Sequence, residues 1–141
     1  MNEKNTGYYI KRISDYIEAD ANRELEQYGL TLTQARVLAF LLNRRDTTTI
    51  QKDIESFFEI RHSTVIGILQ RMEAKGFIES SVDPADKRQR IVSVTQAAVE
   101  LEKAIQKHCG ESEKRMSVGM APEELRTFKQ LLYKVYKNTT K

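Results

Sequence analysis

Asp86, Lys87, Arg88 and Arg90 fall within five residues of one another. Three cations so close can neutralise phosphates or reach into a narrow minor groove. A carboxylate two residues before Arg88 can hold its guanidinium in a fixed fork. A second set lies upstream: Arg61, His62, Ser63, Thr64, Ile66, Gly67, Gln70 and Arg71. Ser, Thr and Gln side chains can bond to base edges, and Ile66 can touch a thymine methyl. Gly67 would let a helix backbone come close to a groove wall. His62, at the start of the stretch, is suited to a phosphate. Neither set is specific alone. A face of small residues also packs on another helix, and a basic hairpin tip is also an ordinary solvated turn.

The elements around both sets sharpen the reading. At about 100° per residue, Val65, Ile68, Leu69 and Met72 share one face of a helix from about His62 to Lys75, stopped by Gly76. Ser63, Gly67, Gln70 and Ala74 then centre the opposite face, with Thr64 and Arg71 on one flank and Ile66 on the other. Thr48 to Gln51 has the T-x-x-Q form of a capping box, which predicts a short helix reaching about Phe58. With only Glu59-Ile60-Arg61 between them, the two helices read as a helix-turn-helix whose second helix is the reader. Phe77 to Val82 and Arg90 to Val94 then alternate like strands. They make a hairpin whose long tip, Asp83 to Gln89, carries the cations.

The flanks are helical. Ile13, Ile17, Ala21 and Leu25 predict a first helix from about Thr6 to Tyr28, stopped by Gly29. A second is expected to open at Thr33 as N-cap and to turn Val37, Leu38, Leu41 and Leu42 inward. Thr95 caps a fifth, carrying Ala98, Leu101 and Ile105, with Gly110 and Gly119 as candidate breaks. Pro122 starts the last helix, whose stripe is Leu125, Phe128, Leu132 and Val135. The fold class is mainly α (α+β).

Composition bounds the rest. The chain has 141 residues, 23 Lys+Arg against 20 Asp+Glu, two histidines and one cysteine. One domain is expected. No apolar run approaches the ~18 residues of a membrane span, so neither membrane nor secretion is indicated and the expected location is the cytoplasm. One cysteine excludes an intrachain disulfide and a thiolate zinc cluster. No nucleophile and base pair, phosphate loop or metal constellation is visible, so neither catalysis nor a cofactor is expected. Zinc sensing by His62 and His108 is disfavoured by their separation. Cys109 reads as a plain half-buried cysteine rather than an oxidant sensor.

The stretches "LTLTQARVLAFL", "STVIGILQRMEAKGFIE" and "DPADKRQRIVSVT" resemble, in order and spacing, the multiple-antibiotic-resistance regulator (MarR) family of winged-helix transcription factors. The resemblance covers nearly the whole chain. It implies a single MarR-type domain over residues 1–141. A winged helix-turn-helix lobe would span 31–95, and a helical dimerisation lobe would come from 6–28 and 96–138. It further implies a homodimer on pseudo-palindromic double-stranded DNA, acting as a repressor. Its recognition helices would lie in successive major grooves. Arg88 would enter the minor groove, oriented by Asp86. A small aromatic or lipophilic effector would release the DNA, for which Tyr8, Tyr9, Tyr16 and Tyr28 are candidate lining residues. Gly67 and the pair Ser80 and Ser81 depart from the larger polar or basic residues common at those places. The competing reading is a winged-helix module that binds protein, with its cations merely solvated.

Overall fold

A computed structural model describes residues 3–140 of the chain. The chain divides into two compact units, Met1–His108 and Cys109–Lys141. In the first, α1 (Thr6–Leu25) ends in a short 3-10 turn, Glu26–Tyr28. Gly29 follows at φ 73°, the left-handed conformation that glycine reaches without a Cβ clash. The chain turns there into α2 (Leu32–Asn43). The N-cap of α2 is Thr31 and not the expected Thr33. Its Oγ1 accepts from the Gln34 N–H at 3.2 Å, and the Thr31 N–H donates to Gln34 Oε1 at 3.2 Å. That is a complete capping box. Asn22 of α1 accepts the Leu32 N–H at 2.8 Å, a further partner for the first turn of α2.

The same T-x-x-Q signature misleads at Thr48. Thr49–Ile50 forms a two-residue strand, β1, and α3 runs Gln51–Phe58 behind it. The first turn of α3 is closed by Asp53, whose Oδ2 accepts the Ile50 N–H at 2.9 Å. The strand overrides the cap because Thr49 and Ile50 pair with Val92 and Ile91, and Thr49 is buried. Glu59 follows α3 at φ 54°. A left-handed non-glycine residue costs roughly 1–2 kcal/mol, so this tight turn stores some strain.

Next comes α4 (His62–Ala74), then β2 (Ile78–Val82) and β3 (Arg90–Val94). The strands form an antiparallel sheet of order β1-β3-β2, with Ile78 opposite Val94 and Val82 opposite Arg90. The predicted fifth helix is two, α5 (Gln96–Glu100) and α6 (Glu102–Met116), broken at Leu101. Thr95 caps α5 as expected, accepting from Ala98 at 3.4 Å. Gly110 is no break, since α6 runs through it.

The core of this unit joins Leu25 of α1, Leu38 of α2, Ile54 of α3, Met72 of α4, Ile78 and Val92 of the sheet and Ile105 of α6, all buried. The stripe of α1 is buried only at Ala21 and Leu25. Its first half leaves Tyr8, Tyr9, Ile10, Ile13 and Tyr16 exposed.

The second unit begins at Cys109, which is exposed and not half-buried as its helical context suggested. Gly119 precedes α7 (Pro122–Thr139), which has no buried residue. Phe128, Leu131, Leu132, Tyr133 and Tyr136 of α7 are exposed. No helix among the described residues is long and apolar enough to cross a membrane.

Candidate nucleic-acid interface

Helix α4 is fixed at three places. Val65, Ile68, Leu69 and Met72 bury the face that the period predicted. At its end, Lys75 Nζ donates to Gly29 O and to Gln34 Oε1, both at 2.8 Å, tying α4 to the turn before α2. Gly76 stops it at φ 81°, with Phe77 N–H on Met72 O at 3.1 Å. Thr95 Oγ1 donates to Gly76 O at 2.6 Å, closing the base of the hairpin beside the helix end.

The opposite face of α4 is open. Ser63, Thr64, Gln70, Arg71 and Ala74 are exposed, and Ile66 and Gly67 are half-buried. A Cβ added at Gly67 would stand 3.6 Å from Arg71 Nη1, so the guanidinium of Arg71 lies beside the glycine.

The hairpin tip is a built loop. Asp83 N–H donates to Gln89 O at 3.0 Å, Gln89 N–H to Asp86 O at 2.9 Å, and Ala85 N–H to Asp83 Oδ1 at 2.9 Å. Aspartate before proline favours such a turn because its side chain accepts from the backbone two residues on. Within the loop, Asp86 Oδ1 accepts from the Arg88 N–H at 3.0 Å and from Arg88 Nε at 3.2 Å, and Asp86 Oδ2 accepts from Nη2 at 3.4 Å. These bonds hold the Asp86 carboxyl below the usual carboxylate range, side-chain bond first and backbone bond second, with Lys52 adding a smaller pull. The fork fixes Arg88 at its root while the side chain remains 90% exposed. An aimed, solvent-facing guanidinium can meet phosphate or the floor of a minor groove.

Between α4 and the hairpin lies a cleft of about 760 Å³. Of the residues singled out from sequence, His62, Ile66, Gln70, Asp86, Arg88 and Arg90 line it. Arg61, Ser63, Thr64, Gly67, Arg71 and Lys87 stand outside that lining; all but half-buried Gly67 are exposed. His62 is less available to a phosphate than its position suggested. Its Nδ1 lies 2.8 Å from Glu55 Oε2 and 3.2 Å from Gln51 Nε2.

Sequence reasoning missed Gln51, Lys52, Glu55, Glu73 and Ser80, which also line the cleft. Gln51 and Glu55 are four apart, so helical period puts them on one face of α3. Nothing local says that His62 lies opposite. Among the described residues no group of His, Cys, Asp and Glu could hold a metal ion.

A family model described as the MarR family matches residues 28–89. An HTH-type transcriptional regulator of Bacillus subtilis, YdcH, itself uncharacterised, is 28% identical over 93 residues. The match covers 64% of this chain and 63% of that protein, so it spans less than two thirds of the relative. Among solved structures, a MepR–DNA complex from S. aureus superposes with a TM-score of 0.92 at 26% identity, covering 96% of this chain and 99% of the other. The transcription regulator MarR from Oenococcus oeni PSU-1 superposes at 0.81 with 28% identity, covering 94% and 99%.

Proposed function

The chain belongs to the MarR family of winged-helix regulators, non-enzymatic proteins, and from that premise we propose that it is a repressor that reads double-stranded DNA as a homodimer. In this reading α4 lies in the major groove, with Ser63, Thr64, Ile66 and Gln70 toward the bases. Arg88 enters the adjacent minor groove. Arg61, Arg71 and Lys87 meet phosphates at the margins.

The observation that carries the reading is the Asp86–Arg88 fork, set across the cleft from the open face of α4. A merely solvated tip has no need to restrain its arginine at both backbone and side chain. The likeness to a regulator crystallised on DNA supports the same docking.

The dimer is supported by surface that each unit leaves uncovered on its own. Tyr9, Ile13 and Tyr16 in α1, and Phe128, Leu131 and Leu132 in α7, are exposed. Apolar patches of this kind mark association surfaces. We take residues 31–95 as the reading lobe and the outer helices, 6–28 and 96–138, as the dimerising lobe. The protein then acts in the cytoplasm on pseudo-palindromic sites, with release by a small aromatic or lipophilic ligand.

The test is selection of duplexes from a random-sequence pool by the full chain, followed by binding to the enriched duplex at several salt concentrations. Enrichment of an inverted repeat, with affinity falling steeply as salt rises, is expected. A chain that enriches no sequence and shows no salt slope is not a DNA reader, and the protein-binding module takes its place.

A further inference from the structure

Glu73 and Ser80 occupy a place in the cleft that base reading and phosphate binding do not use. Glu73 is in the last turn of α4, and Ser80 is in the middle of β2. The Glu73 carboxylate accepts from the Ser80 backbone N–H at 3.2 Å and from the Ser80 hydroxyl at 3.2 Å. The Ser80 hydroxyl in turn accepts from Arg90 Nη2 at 3.1 Å. Three elements are thereby joined side by side: reading helix, first wing strand and second wing strand.

The backbone bond matters most. In the order β1-β3-β2 the strand β2 is an edge. Alternate N–H groups of an edge strand point away from the sheet, without a ladder partner. Glu73 takes one of them. The tie therefore holds the main chain of the wing and not just a side chain. It also draws Arg90 back toward the sheet, in the last strand pair before the tip, opposite Val82. Arg88 is left as the arginine with a fork of its own.

We propose that Glu73 and Ser80 are positioning residues that latch the wing to α4 and so fix the distance between the bases read by α4 and the groove entered by Arg88. The inference rests on the DNA reading above. Without the latch, β2 beyond buried Ile78 is tied to the fold through β3, which pairs with β1 at Val92 and Ile91. A longer lever at the tip then samples more positions. Affinity for one spacing falls, and tolerance of other spacings grows.

The experiment compares an enriched duplex with the same duplex carrying one extra base pair between the major-groove half-site and the minor-groove flank. That insertion moves the flank by about 3.4 Å along the axis. For the wild-type chain it should cost about tenfold in affinity or more, the loss of an arginine contact. Glu73→Ala, which removes the backbone bond together with the hydroxyl bond, should cut this penalty by about threefold, the net worth of a hydrogen bond or two. Ser80→Ala, which keeps the N–H on Glu73, should cut it less. Ser80→Thr, which keeps the hydroxyl, should restore it. Glu73→Ala combined with Ser80→Ala should do no more than Glu73→Ala alone. Thermal midpoints of the four variants should lie within a few degrees of wild type, which separates positioning from folding. An insertion penalty unchanged in Glu73→Ala overturns the latch and leaves the DNA reading standing. So does a wild-type chain that selects a sequence but ignores the insertion. A wild-type chain that enriches no sequence removes both.

Discussion

Around the wing, side chains of the chain hold one another. Asp86 holds Arg88, Glu73 holds Ser80, Lys75 holds the turn at Gly29 and Thr95 holds Gly76. Along α7 no residue is buried, and Phe128, Leu131, Leu132, Tyr133 and Tyr136 stand exposed on an 18-residue helix. In proteins most of a helix's stability comes from packing its apolar face. The contrast separates two kinds of completion. The lobe of α4 and the wing is finished within one chain, so the geometry of its cleft is preset. The last helix leaves its apolar surface uncovered, and in the proposed dimer a second copy covers it.

The largest effects expected should fall on the finished side. Met72 is fully buried at the back of α4. Met72→Ala should destabilise the fold by about 2–5 kcal/mol in urea unfolding. Leu132, 41% exposed, should lose less than about 1 kcal/mol as Leu132→Ala, measured at nanomolar protein. Equal losses at that dilution would show that α7 is packed by its own chain, and the comparison would collapse.

Next in size is the assembly itself. Leu132→Asp puts a charge into the surface assigned to the second copy. Burying an unpaired charge is costly, so the dimer dissociation constant should rise at least about tenfold, or ~1.4 kcal/mol. Sedimentation across micromolar concentrations reads this directly. A variant that stays dimeric at the wild-type concentration places the interface elsewhere.

What was legible in the sequence divides along similar lines. Local geometry could be read. The helical period marked the buried face of α4, and spacing of two residues marked the Asp86–Arg88 fork. Glycine marked the stops at Gly29 and Gly76. Long-range pairing could not be read. Thr49 and Ile50 are strand because β3 lies beside them, and a two-residue strand has no period of its own. Thr31 and Thr48 both head a T-x-x-Q, and tertiary pairing decided which became a cap. Glu73 and Ser80 are seven residues apart across a reversal of the chain, so no helical or strand spacing connects them. Gly110 was misread because a single glycine inside a helix costs only about 1 kcal/mol, too little to break α6.

Within the finished lobe, reading and anchoring should separate. Arg88→Ala should weaken binding to all duplexes by roughly tenfold, the worth of one charged groove contact. Gln70→Ala should act differently, lowering discrimination among duplexes by a few fold with less effect on unrelated DNA. Competition binding with enriched and scrambled duplexes distinguishes them. If both variants lose affinity uniformly, Gln70 positions the helix and does not read.

The smallest effect concerns acid. The Asp86 carboxyl is held below its usual range by Arg88. A group with a lowered folded value contributes above its unfolded value, near about 3.9 for aspartate. That contribution fades as pH falls through the lowered value. The fork should therefore persist through the ordinary aspartate range and open only in stronger acid. The Arg88 side-chain N–H resonance, followed by NMR titration, should move below that range in wild type and stay flat in Asp86→Asn. A midpoint at or above the ordinary value would mean that the arginine is not restrained in solution. The wing would then resemble α7, as a surface completed only by its partner.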